Sequence, residues 1–387
     1  MEKKKFAFPA WALGAFTWFG YHCGSGFASG TQVKAYVLKY GVAGMWAPLI
    51  AWIACAVFIG IISEYARVVK AKSYRDVATT IYYPNEILGR VVIIVWDIMV
   101  LLSCIVASSS CMAGAGSLLQ NLFGAPYWLG CALFVAVMVY LLCFGETALK
   151  RLGSISSIMI FLVLFICCAG IIRNGSNIGP VFNTDIGKVE GGTVSAAIKS
   201  GFTYGCIQIS FLHTTSVIGG GFKSRGDTIK YILLGFLMNC GVMYAEVLCL
   251  FGYFPGCMES NMPLLTVVQS FTGVFGVILL IIYNFVLVMA YLTTAGAVIS
   301  GQVARYRGLV GKVIKNPFAT KVVIVVFFLL CSSALSVIGL EGVVTKGYGF
   351  LANLRKPIWF WPLLILGPIS IIRESKKRQN EGEPKEA

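Results

Sequence analysis

Long continuous runs of apolar residues, punctuated by glycine, proline and short basic clusters, fill most of the chain. An α-helix needs roughly 20 predominantly apolar residues to cross a hydrocarbon layer about 30 Å thick. Ten segments qualify, over about 10–39, 44–69, 90–119, 127–145, 148–172, 193–218, 229–253, 271–304, 319–338 and 348–371. A membrane β-barrel would instead show segments of about ten residues alternating between apolar and polar. The pattern predicts an all-α, polytopic membrane protein with ten transmembrane helices.

Composition excludes several function classes. The 387 residues are 58% hydrophobic and 12% charged, against roughly 45–50% and about 25% in soluble domains. Such a surface does not face water, so a soluble enzyme is ruled out. The net charge of +15 does not indicate nucleic acid, because the basic residues lie in short clusters between apolar runs; membrane lipid is the expected surface partner. Most of the 13 cysteines fall inside apolar runs, where a thiol behaves as a small hydrophobe. With two histidines, His22 and His213, and no CxxC, a Cys/His metal site is not expected. HExxH, GxSxG and GxxxxGK[ST] are all missing, so the chain reads as neither an enzyme nor a complete ATP-driven pump.

Twenty-three of the 31 Lys and Arg residues fall in alternate connections: Lys3–Lys5, the 67–90 stretch, Lys150 and Arg151, Lys223–Lys230, the 305–321 stretch and the tail from Arg373. Basic loops mark the cytoplasmic side, which puts both termini inside a cell (inner) membrane and requires an even number of spans. The opening MEKKK and the apolar run after it imitate a signal peptide. No small-residue cleavage site follows, so this is read as a retained first helix. The long outer connection at 173–192 separates five spans (1–172) from five more (193–372), with a cytoplasmic tail at 373–387.

Two spans are interrupted. In the first, Gly20, Gly24, Gly26 and Gly30 are interleaved with His22, Cys23, Ser25 and Ser29, and each interior glycine costs a helix about 1 kcal/mol relative to alanine. The sixth carries Gly201 and Gly205, followed by Gln208, Ser210, His213, Thr214 and Thr215. Gly-xxx-Gly spacing also serves close helix packing, but packing alone does not ask for polar residues at the same depth. Irregular backbone within a membrane must line protein or water. Interrupted segments at matching places in two halves point to a transporter binding site. Five spans separate the two interruptions, which predicts a 5+5 inverted repeat with helices 1 and 6 broken.

The stretch Gly24-Ser25-Gly26-Phe27-Ala28-Ser29-Gly30 resembles the first-helix signature of the YkvI-like family of bacterial membrane proteins, within the LeuT-type fold of the amino acid–polyamine–organocation superfamily. Lys346-Gly347-Tyr348-Gly349, before the last span, is similar too. The chain departs from the family's pattern at Gln32, where a glutamate would be expected. The resemblance implies a cation-coupled or exchange transporter. A cargo carboxylate would sit on amides around Ser25 and Gly26, and a cargo amine near carbonyls of span six.

Thr293 and Thr294 are adjacent hydroxyls about twelve residues, or roughly 18 Å, from Arg305, which puts them near mid-membrane. The resemblance implies a sodium ion there, held by these hydroxyls and the carbonyls of Gly20 and Cys23. The ordinary alternative is a threonine hydroxyl returned to a carbonyl four residues earlier. The expected cargo site comprises Cys23, Gly24, Ser25, Gly26, Phe27, Ser109 (of the Ser108–Ser110 run), Tyr204 and Gln208. Asp97, His22 and Glu246 are coupling candidates, since an intramembrane ionisable residue is functional by default. The structural alternatives are an ion pair for Asp97 and a protonated, hydrogen-bonded acid for Glu246. The expected function is a secondary active transporter that carries a small amino acid or related zwitterion with sodium by alternating access. A proton-coupled or exchange carrier for an amine, betaine or other small organic solute is the alternative, with a channel behind it. No cofactor other than sodium is expected.

Overall fold

The computed structural model describes residues 8–82, 86–145 and 161–380, and among them finds helix and no strand. The expected basic residues Lys3–Lys5, Lys150, Arg151 and Lys385, and the first half of the fifth predicted span, lie outside the described residues. Seven helical stretches are long and apolar enough to cross a membrane: Leu38–Val69, Ile87–Phe123, Phe161–Asn183, Arg225–Phe251, Gly273–Val310, Pro317–Ser336 and Gly339–Asn380. Three of the ten predicted segments are not among these seven. The fourth forms an apolar helix of only 17 residues, Tyr127–Cys143, and the first and sixth are each divided into shorter pieces.

In chain order the helices used below are α1 (Ala10–His22), α2 (Ser25–Ala28), α3 (Thr31–Tyr36), α4 (Trp46–Val69), α5 (Tyr74–Ile81), α6 (Glu86–Phe123) and α7 (Tyr127–Cys143). After α8 (161–174) come α9 (Ile178–Asn183), α10 (Val194–Gln208), α11 (Leu212–Gly220), α12 (Arg225–Phe251), α13 (Pro263–Gln269), α14 (Gly273–Val310), α15 (Pro317–Ser336), α16 (Gly339–Gly342), α17 (Tyr348–Arg355) and α18 (Trp361–Asn380). Both α6 and α14 have 38 residues; at 1.5 Å per residue each is about 57 Å long, well beyond the hydrocarbon thickness. The third and eighth spans therefore project further from the membrane than their hydropathy suggested.

Two groups of helices face each other. In one, α4 packs against α10, α11, α12 and α18, and α1 lies along α12. In the other, α6 packs against α7, α14 and α15, while α14 packs against α7 and α15. Short α2 packs against α6 and α14 of the second group. Outward faces are apolar: Ile87, Val91, Ile94 and Ile98 on α6, and Val274, Val277, Ile278 and Ile281 on α14, are all exposed. Exposed apolar surface on this scale suits lipid rather than water.

The glycines of span six serve packing. A Cβ on Gly201 would lie 2.4 Å from the Ala47 carbonyl oxygen, and one on Gly205 would lie 2.6 Å from that of Ala51. These residues let α10 approach the backbone of α4, as small-xxx-small contacts do. The chain remains right-handed helical through Gly205, so the expectation that these glycines unwind the span is corrected.

The connections collect at two ends. At the basic end, Asp97 of α6 pairs with Arg75 (2.6 Å) and with Arg305 of α14, and accepts a hydrogen bond from Tyr74 at 2.5 Å. There too Arg373 reaches the Thr80 carbonyl (3.0 Å), and Thr228 donates to Glu64, which also pairs with Arg67. At the opposite end α3 meets the 256–262 connection and α16, and the 187–192 stretch lies against 40–42.

Gly205→Ala is expected to destabilise the protein by about 1–3 kcal/mol, the range for overpacking a filled interior. Gly301→Ala in α14, where a Cβ meets nothing within 4 Å, should leave stability unchanged or slightly higher. Melting temperatures of the two variants in detergent check this pair.

Candidate functional site

The first span breaks at Cys23–Gly24. α1 ends at His22, Cys23 has φ −76° and ψ 44°, and Gly24 is extended with ψ −171° before α2 begins. The Gly24 amide turns to the His22 carbonyl at 2.8 Å instead of reaching back four residues to Gly20. The Gly20 carbonyl therefore loses its helical donor, and the first amides of α2 have none to begin with. A second turn follows at Gly30, whose φ of 82° is left-handed and suits glycine.

These freed groups border a cavity of about 1000 Å³. Gly20, Gly24, Ser25 and Gly26 form one side, Gln208, Ser210 and His213 of span six another, and Thr293 and Thr294 of α14 a third. Phe8 and Leu13, both about half exposed, carry its wall to the basic end. At the opposite end the way is shut. Lys34 pairs with Glu341 (2.9 Å) and donates to the Ser260 carbonyl (3.1 Å), Thr31 donates to Asn261 (2.7 Å), and Tyr36 donates to Val344 (2.9 Å).

Beneath that closure a short hydrogen-bonded chain joins the two broken spans. The Tyr204 hydroxyl donates to Gln32 Oε1 (3.0 Å), so the His22 Nε2 at 3.0 Å must donate to Tyr204. The His22 ring is held between Trp52 and Phe27, with ring centroids 4.4 and 4.3 Å away. Gln32 thus lies in the cavity wall, where its amide packs on Gly26: a Cβ there would come within 2.8 Å of Nε2.

Predicted site residues separate into three sets. Gly20, His22, Gly24, Ser25, Gly26, Gln208, Thr293 and Thr294 all line the cavity. Phe27 and Tyr204 are fully buried and stand behind the wall, while Cys23 sits at the break itself. Three of the expected residues lie away from the cavity wall. Ser109 faces away, donating to the Ile105 and Ser332 carbonyls at 2.7 and 2.9 Å; one residue further along the helix, Ser110 meets Ser25 at 2.9 Å. Asp97 belongs to the ion-pair cluster at the basic end and does not line the cavity, in line with the structural alternative given for it. Glu246 is fully buried outside the cavity wall, and neither of its carboxylate oxygens has a hydrogen-bond partner.

Thr294 lies directly across the break, its Oγ1 3.7 Å from where a Gly24 Cβ would be. Thr293 instead donates to the Met289 carbonyl (2.8 Å), as threonines inside helices often do. Span six is interrupted more gently than span one: Ile209–Phe211 tightens to a 3₁₀ turn between α10 and α11. The carbonyls of Cys206 and Ile207 there accept hydrogen bonds from Arg355 of α17 at 3.3 and 2.6 Å. Arg355 was missed in the sequence because it reads as one more basic residue near a span end. Its only signal was position, inside the tenth apolar segment rather than beyond it.

No protein-family profile matches the chain, and no curated protein matches it in sequence. Solved structures match it in fold. A mutant of the Eremococcus coleocola manganese transporter superposes with a TM-score of 0.59 at 11% identity, covering 96% of this chain and 87% of the other. The same transporter with an aromatic bis-isothiourea substituted compound gives 0.56 at 14%, covering 97% and 88%. MhsT in complex with L-phenylalanine gives 0.55 at 15%, covering 96% and 99%. The chain has the LeuT-type fold of these membrane transporters. It is a multi-pass membrane protein.

Asp97→Asn is expected to lower stability by about 1–3 kcal/mol by leaving Arg305 without its carboxylate, with the affinity for any transported solute unchanged. Thermal melts combined with half-saturation of uptake check both halves of that statement.

Proposed function

We propose that this protein is a secondary transporter that works by alternating access on ten spans arranged as a 5+5 inverted repeat, within the YkvI-like family. The helix pairing supports the repeat. Span one on span seven (α1 on α12) mirrors span six on span two (α10 and α11 on α4), and the α6–α7 pair mirrors α14–α15. The YkvI-like motif at 24–30 coincides with the break and the turn that follows it. Closure at one end and a cavity reaching the other support a carrier over a channel, with both termini and the basic end cytoplasmic in a cell membrane.

The proposed coupling ion is sodium. The observation that carries this reading is the placement of the Thr294 hydroxyl across Gly24 from a break that frees the Gly20 carbonyl. Oxygens of this kind suit a hard cation. The proposed cargo is a small amino acid or related zwitterion whose carboxylate meets the amides of Ser25 and Gly26. Among the described residues no group of three His, Cys, Asp or Glu side chains is placed to hold a metal, and no Asp or Glu lines the cavity.

A second reading, proton coupling or exchange, is favoured by Thr293, whose hydroxyl is already bonded, and by Glu246, a buried carboxyl without a partner. Uptake of a labelled solute panel into proteoliposomes, with an inward gradient of sodium and then of potassium, separates the two. Sodium should accelerate wild-type uptake about tenfold or more, and Thr294→Ala should remove most of that stimulation. Equal rates in both ions, with Glu246→Gln abolishing pH dependence, would establish the second reading. Gly24→Val, which fills the space in front of Thr294, should abolish uptake in either case while the protein still melts cooperatively.

A further inference from the structure

Arg355 is a buried cation in the wall of the cavity. It is 1% exposed, and its nearest partners are neutral: the Cys206 and Ile207 carbonyls, the Ser103 hydroxyl (2.7 Å) and the Trp359 ring, 5.6 Å away. Three hydrogen bonds leave part of its five-donor guanidinium free, and Nε is without a partner. Among the described residues, no Asp or Glu lines the cavity. The other titratable groups in the wall that could become charged near neutral pH, His22 and His213, can add only positive charge. A sodium ion at Thr294 would add more.

The carbonyls that Arg355 occupies are the ones the end of α10 would offer to a cation, since the C-terminus of a helix carries partial negative charge. The protein has placed a cation of its own there. A charge left without a counter-charge in a low-dielectric site is costly, and since no carboxylate among the described residues lines this cavity, an anionic cargo would supply one.

We propose that the cavity selects a cargo with one net negative charge, a carboxylate of which is drawn to Arg355. This rests on the transporter reading and shifts its cargo class from neutral zwitterions to monoanions, acidic amino acids included: the protein supplies the positive group at the span-six carbonyls, so the cargo need not bring an amine to them. Neutral zwitterions, amines and polyamines are disfavoured.

The purified full chain is melted with L-glutamate, L-aspartate, lactate or pyruvate as sodium salts, and with L-glutamine, L-asparagine, lactamide or pyruvamide plus matched sodium chloride; putrescine is a cationic probe. At least one carboxylate should stabilise the protein, with a half-saturating concentration at least about tenfold below that of its amide. Arg355→Gln should erase this preference and Arg355→Lys should restore part of it. Three outcomes would overturn the proposal: no carboxylate shifting the melt beyond sodium chloride, amides or putrescine binding as well as the acids, or Arg355→Gln melting lower yet keeping the wild-type preference. The last would make the residue only a cap for α10. Should Arg355→Gln fail to fold, the wild-type ratio of acid to amide decides. Counterflow in liposomes is scored separately: loss of exchange for every labelled solute refutes the transporter reading, whereas charge preference in binding stands or falls on its own.

Discussion

A backbone group released from its helix inside a hydrocarbon layer has no water to turn to, and leaving it unpaired costs several kcal/mol. That constraint organises the centre of this molecule. At Cys23–Gly24 the first span stops being helical at membrane depth, so the surrounding helices must either partner the freed groups or leave a polar space beside them. Both are found: α2 is wedged between α6 and α14, Ser110 reaches Ser25, and the remaining groups face the cavity. The break is held by the packing of α2 on α6 and α14 and by the Ser25–Ser110 contact.

The two interrupted spans meet the same constraint differently. Span one leaves its groups toward the cavity. Span six tightens into a 3₁₀ turn, and Arg355 binds the carbonyls beside it. The two interrupted spans are therefore chemically unequal, with amide donors and hydroxyls on one side of the cavity and a fixed cation on the other. That inequality gives the site a polarity that a symmetric pair of breaks would lack. The chain from His22 through Tyr204 to Gln32 joins the two spans, so a shift in either would be felt by the other.

Charge is sorted between the ends as well. The basic end is braced by carboxylates that each face more than one partner, Asp97 and Glu64. The opposite end closes with the Lys34–Glu341 ion pair, whose glutamate is 43% exposed, together with a few bonds to backbone carbonyls. With Lys34 buried and Glu341 partly exposed, this end is held, among the described residues, by far fewer charged contacts than the basic end, as the alternating access proposed above would need.

The sequence by itself determined the membrane class, the positions of most spans and the place where the first helix breaks. Hydrophobic run length and a cluster of glycines among polar residues are local properties, set by transfer free energy and backbone conformation. It also singled out Gln208, Thr293 and Thr294, because adjacency and depth along a helix can be counted. Tertiary structure decided the rest. Gly201 and Gly205 look like breakers, yet the nearness of α4 makes them packing residues. Ser109 and Ser110 differ by one position, about 100° around a helix, and only the neighbouring helices determine which of them faces the cavity. Asp97 is an ion-pair residue because the 70–82 connection brings Arg75 to it and α14 brings Arg305. Arg355 became part of the site only when α17 was laid beside α10, a contact between residues about 150 positions apart along the chain that no local pattern encodes.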